Sequence, residues 1–253
     1  MDPGGPNGPD PQDVGQSVVL PAQDWHLTAQ RGPLGRGPLT LVRKESASQA
    51  VVMRNRGLLI ALAAATTAVV YVRYARPWQL TWGATPDEVA RPLPGDDLVT
   101  RPTFNATRAI TIDALPQEIW PWLVQVGLTR AGWYSYDLLD NFGRPSATRI
   151  IPELQDLAVG DVVPMSPNGM QGMRVHSLDR PHSMIWGTPD DTTWAWQLDA
   201  QPDGSTRLIT RVRSRYRWLS PSIAFSALLE FGDVWMMRKM LLNLRIRAEV
   251  ASP

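Results

Sequence analysis

The sequence predicts an α+β protein: a curved antiparallel sheet wrapped around a long C-terminal helix, preceded by one N-terminal transmembrane helix. Three observations predict it. Gly57 to Val72 carries no charge, residues 161–216 alternate in strand-length pieces between Pro, Gly, Asn and Asp turns, and an apolar helical pattern runs from Ser220 to about Arg247. A sheet with one apolar face and a helix with an apolar stripe bury both by packing on each other.

Residues 1–52 hold 14 of the chain's 42 glycines and prolines and read as a disordered tail. Met53, directly before Arg54, Asn55, Arg56 and the apolar run, is a second candidate start of translation beside Met1. Residues 53–76 read as the anchor. As a helix, Gly57–Val72 spans about 24 Å, against a hydrocarbon core of about 30 Å. Arg54, Arg56, Arg73 and Arg76 extend the span by snorkelling, and Tyr71, Tyr74, Trp78 and Trp82 suit the headgroup level. A buried soluble helix and a cleaved signal peptide are the rivals. Alanines 63–65 lie inside the run rather than after it, which favours an uncleaved single-pass anchor. Four basic residues precede the span and three follow it, which leaves the sidedness of the main domain open. Residues 77–103 are a proline-rich connection, and Trp78, Leu80, Trp82, Val89 and Leu93 make it too apolar for a free tether, so part of it is expected to pack on the domain.

The domain occupies residues 104–248. Alternation over Ala106–Ile112 predicts a first strand. Pro116 opens a helix with Ile119, Trp120 and Leu123 as its stripe, short or kinked at Pro121 and ended by Gly127. A second short helix is predicted over Ser135–Asn141, with Tyr136, Leu138 and Leu139 apolar. Strands follow over 161–165, 173–178, 183–186, 192–198 and 205–216. In the last, Thr206, Leu208, Thr210, Val212 and Ser214 share one face and Arg207, Ile209, Arg211 and Arg213 the other, which predicts a wet arginine face. Ser220 and Pro221 cap the final helix, whose stripe is read as Ala224, Leu228, Phe231, Trp235, Leu242 and Ile246.

Particular words within this order resemble the SRPBCC superfamily, the helix-grip fold of START-like and Bet v 1-like proteins and polyketide cyclases. They are Trp-Gly-Ala-Thr (82–85), Pro-Gly-Asp (94–96), Leu-Pro-Gln-Glu-Ile-Trp-Pro-Trp-Leu-Val-Gln-Val-Gly (115–127), Arg-Ala-Gly-Trp-Tyr-Ser-Tyr-Asp (130–137), Pro-Glu-Leu-Gln (152–155), Val-Gly-Asp (159–161) and Thr-Arg-Leu (206–208). They span roughly residues 80–248 and look specific to a bacterial subgroup. The resemblance implies a cavity between sheet and C-terminal helix that accepts hydrophobic or amphipathic molecules.

Composition narrows the chemistry. With 25 basic and 24 acidic residues the chain is not built to hold nucleic acid. No cysteine and three histidines leave no thiolate site and argue against a metal centre, and no cofactor is expected. Nucleophile-elbow, phosphate-loop and dinucleotide motifs are absent from the sequence. The densest polar–aromatic cluster is Arg130, Trp133, Tyr134, Tyr136, Asp137, Asp140 and Asn141, read either as a pocket mouth or as a folded connection. If the domain catalyses a reaction, Asp137 and Tyr136 are the acid/base candidates. Arg130, Trp133, Tyr134, Tyr136, Trp194, Trp196, Trp235, Met236 and Met240 are the candidate ligand contacts. His176 reads as a structural strand residue. The leading expectation is a membrane-anchored binder of a lipid, isoprenoid or polyketide-like molecule. A cyclase or dehydratase in the same cavity, and a non-enzymatic membrane scaffold with a vestigial pocket, are the alternatives.

Overall fold

The computed structural model describes residues 47–169, 171–215 and 223–251. Most of the expected tail, and the Ser220–Pro221 cap, lie outside the described residues. The first helix, α1 (Ala47–Val70), passes through a π-helical turn at Tyr71–Ala75 into α2 (Arg76–Leu80). Pro77 has no N–H for the carbonyl four residues back, and a local widening of the helix accommodates that loss. Val52–Leu80, 29 residues, is long and apolar enough to cross a membrane. Leu58, Leu59, Ile60 and Leu62 are exposed on it.

The domain adds α3 (Pro86–Ala90), β1 (Phe104–Ile112), α4 (Pro116–Val124), α5 (Asp137–Asp140), β2 (Val162–Pro164), β3 (Gly172–Asp179), β4 (Ser183–Thr188), β5 (Thr192–Ala200), β6 (Thr206–Ser214) and α6 (Ile223–Ala251). All six strands join one antiparallel sheet in the order β1-β6-β5-β4-β3-β2. Strands β2 to β6 form a meander, and β1 closes the far side against β6 across nine residue pairs, from Phe104 with Ser214 to Ile112 with Thr206. A single large core fills one side of the sheet. Trp186, Trp194, Trp196, Leu198 and Leu208 from the strands meet Leu123 of α4 and Met237, Leu241 and Leu244 of α6. In α4, Pro116 stands at the first turn and the Glu118 carboxylate accepts from the Leu115 N–H at 2.7 Å. Pro121 is tolerated because the helix is only nine residues long.

Three expectations need correction. The arginine face of β6 is not wet. Arg211 is 2% exposed and donates to the Asp96 carboxylate at 2.6 Å, to Thr107 and to the carbonyls of Glu88, Val89 and Arg91. Arg207 pairs with Glu88 at 2.7 Å, and Arg213 reaches Asp96 and the Val99 carbonyl. Residues of the 77–103 connection thus cover this face, and Leu93 joins a small second core with Ala109 and Ile209. The connection reaches it around the edge strand. Trp82 accepts from the Ala109 N–H at 3.2 Å, and Gly83 (φ 74°) passes so close that a Cβ would stand 2.1 Å from the Ala109 carbonyl oxygen. Covering an unpaired edge in this way also removes a template for aggregation. Threonine 85 and Glu88 form a reciprocal cap at the start of α3, which holds Glu88 where Arg207 meets it.

The second correction is to α5, which is a single turn. Leu138 and Leu139 are 80% and 68% exposed. The turn points its polar side inward because Asn141 accepts from the Trp133 N–H at 3.0 Å and Asp140 from the Tyr136 N–H at 3.3 Å. The third is the stripe of α6. Phe231, Trp235 and Ile246 are 47%, 41% and 53% exposed, whereas Val234, Met237, Leu241, Leu244 and Ala248 are buried.

Candidate functional site

Most of the space between sheet and α6 is occupied by indoles. Trp194 stacks on Trp196 with centroids 5.0 Å apart and on Trp133 at 5.8 Å, and Trp186 meets all three edge-on. The Trp194 Nε1 donates to Thr210 Oγ1 at 2.7 Å, which fixes the ring plane. What remains is a partly open cleft of about 290 Å³ beside α5 and α6. Its walls are Trp133, Trp194, Leu139, Phe142 and the thioethers of Met165, Met236, Met237 and Met240; Ser135, Asp140 and Asp233 are its polar groups. That volume is at the lower bound of small-molecule sites. It suits a compact guest.

Of the candidate contacts, Trp133, Trp194, Met236 and Met240 line the cleft. Trp196 lies behind them, 1% exposed. Trp235 is on another face of α6, against Trp78 at 6.0 Å and Phe231 at 6.5 Å. Tyr134 is fully buried: its hydroxyl donates to the Trp122 carbonyl at 3.1 Å and accepts from Gln125 Nε2 at 2.7 Å. Burial pushes its phenol up to about 12. Its backbone is in the left-handed region (φ 55°), held by an N–H donated to Ser146 Oγ and a carbonyl that accepts from Asn243. Arg130 donates to the carbonyls of Val124 and Leu154, outside the cleft wall. Tyr136 is 37% exposed, with the Lys239 ammonium 4.0 Å over its ring.

The two carboxylates of α5 differ. Asp137 accepts from Ser146 Oγ at 2.6 Å and Asn141 Nδ2 at 2.7 Å. Burial would raise its pKa, but these bonds, the Ser146 N–H and the charge of Arg247 together hold it below the ordinary value. Asp137 therefore ties the connection together. Asp140 faces the cleft, and burial, the strongest influence on it, lifts its carboxyl above the usual range despite the neighbouring Ser135 hydroxyl, which donates to the Met236 carbonyl at 2.9 Å, and the hydrogen bond from the Tyr136 N–H.

Sequence reasoning missed Met237, Asp233, Ser135, Leu139, Phe142 and Met165 as cleft residues. Among the described residues, no three His, Cys, Asp or Glu side chains come together as a metal site would need.

No protein-family model matches the chain, and no curated protein matches it. Solved structures are similar over part of it. The Aha1 dimer from Colwellia psychrerythraea is 18% identical, with 60% of this chain and 100% of that one covered and a TM-score of 0.37. An HSP90 activator from Plasmodium falciparum is 11% identical, covering 55% and 95%, with a TM-score of 0.36. A conserved protein of unknown function from Enterococcus faecalis is 17% identical, covering 59% and 72%, with a TM-score of 0.35. None of these likenesses assigns a family.

Proposed function

We propose that this chain is a membrane-anchored binding protein for a small hydrophobic or amphipathic molecule, held between the sheet and α6 in the manner of a helix-grip domain. The observation that carries the reading is the cleft itself: eight apolar or aromatic side chains and three polar ones around about 290 Å³. Such a site works by desolvating an apolar body while a few polar groups set its orientation. The exposed apolar helix Val52–Leu80 supports the anchoring. An anchor suits this ligand class, since the bilayer is the reservoir of a molecule scarce in water. A cyclase or dehydratase in the same cleft is favoured by one observation, the buried Asp140 carboxyl with its raised pKa, a property suited to general acid catalysis.

The test is to purify the full chain from host membranes in mild detergent and identify co-purifying small molecules by mass spectrometry. A stoichiometric apolar or amphipathic compound, lost in Met236→Trp where the larger ring fills the mouth, is the expected result. A chain that emerges empty, and whose tryptophan fluorescence no apolar probe perturbs, defeats the reading.

A further inference from the structure

The polar lining of the cleft is one-sided in charge. Asp140 and Asp233 reach it, whereas no lysine or arginine among the described residues lines it. Asp233 is compensated. Arg108, 1% exposed on β1, places Nη1 2.7 Å from its carboxylate and donates through Nε to the Gln79 carbonyl at 2.9 Å. Asp140 is not compensated in this way. It is 9% exposed; Oδ2 accepts from the Tyr136 N–H, and Oδ1 is buried with no hydrogen-bond partner. A buried acceptor left without a donor is uncommon in folded proteins and calls for an explanation.

The walls beside it have chemistry of their own. The rings of Trp133, Trp194 and Phe142 and the sulfurs of Met236 and Met240 are apolar, polarisable surfaces. Aromatic faces attract cations, and thioethers adapt to irregular guests. A carboxylate or phosphate headgroup would be repelled by Asp140, and a wholly apolar guest would leave Oδ1 unpaired. A positively charged donor satisfies both the orphaned oxygen and the aromatic wall.

We propose that the guest of this cleft is an amphipathic organic cation, an ammonium group on a compact apolar body, with its charge at Asp140 and its body against Trp133 and Trp194. The proposal rests on the binding function above and names the ligand class. Several groups act on Asp140: Asp137 on α5 raises its pKa, Lys239 on α6 lowers it, and Asp233, the other carboxylate of the lining, is paired with Arg108. Burial outweighs these. The amine therefore binds more tightly as pH rises through the Asp140 pKa and more weakly below it.

The experiment places the full chain in phosphatidylcholine nanodiscs and titrates three probes of matched shape: 4-phenylbutylamine, 4-phenylbutanol and 4-phenylbutyrate. Binding is read by tryptophan fluorescence and calorimetry, with empty nanodiscs subtracted. The amine is expected to bind about tenfold or more tighter than either partner, the ratio a charge-assisted hydrogen bond commands. Asp140→Asn should remove that preference while the alcohol still binds. The pH profile of the unaltered chain gives the same answer without any variant, since amine affinity falls on acidification and alcohol affinity does not. Equal binding of all three probes, or tightest binding of the carboxylate, overturns the cation proposal and leaves the binding function standing. Binding of none of them overturns both.

Discussion

Asp137 and Asp140 are three residues apart on one helical turn, and their surroundings push them in opposite directions. Asp137 is lowered by bonds that favour its charged form, and Asp140 is raised by burial that disfavours it. An unfolded aspartate titrates near about 3.9. Asp137 therefore contributes stability that is present above that value and lost as pH falls through its lower folded pKa. For Asp140 the folded chain holds the proton more tightly, so its contribution is present below the unfolded value and lost as pH rises through the folded pKa. We expect Asp137→Asn to lower Tm at about pH 7 and to converge on the parent under strong acid. Asp140→Asn should leave Tm at neutral pH unchanged or higher. Circular-dichroism melts across the pH range check both, and equal losses at neutral pH would refute the assignment. Sequence reasoning found the cluster but chose Asp137, because nothing in the local string says that Ser146 and Asn141 turn toward it.

At the scale of the element, α6 shows the limit of periodicity. Its apolar residues surround the helix, so several stripes fit the pattern equally well, and the one read from the sequence includes Phe231, Trp235 and Ile246, all substantially exposed. Within the buried row, Met237, Leu241, Leu244 and Ala248 are selected by the core they join, with Trp194, Trp196 and Leu198 of the sheet and Leu123 of α4. Truncation distinguishes the two stripes. Leu241→Ala, at 0% exposure, should cost about 2–5 kcal/mol in denaturant unfolding. Ile246→Ala, at 53% exposure, should cost less than about 1 kcal/mol. Similar losses at both positions would overturn this packing. The strands were easier to read. Alternation and turn residues located all six to within a few residues, because a strand's period of two and its Pro-Asn-Gly or Pro-Asp-Gly breaks are local properties.

For the whole molecule, the proposed anchor is open to a direct test. Replacing Leu62 and Ala64 with arginine puts two charges within the apolar stretch, each costing about 2.5–3.5 kcal/mol at the centre of a spanning helix. The parent chain should remain in membranes after alkaline carbonate extraction, and the double variant should be released. Retention of both would mean that the helix does not span. Because the chain has no cysteine, a single Val159→Cys on its exposed surface gives a clean label for the sidedness that the arginine count leaves open.

The sequence by itself determined the α+β class, the order of strands and helices, the long apolar run and the identity of the aromatic cluster, since each depends on near neighbours along the chain. Tertiary structure alone decided how those pieces face one another. It turned the arginine row of β6 onto Glu88 and Asp96, more than a hundred residues away, and filled the expected cavity with tryptophan down to a small cleft. It also gave Asp140, rather than Asp137, the place at the cleft. These outcomes depend on which distant surfaces meet, because burial and pairing are set by the partners a residue finds in space.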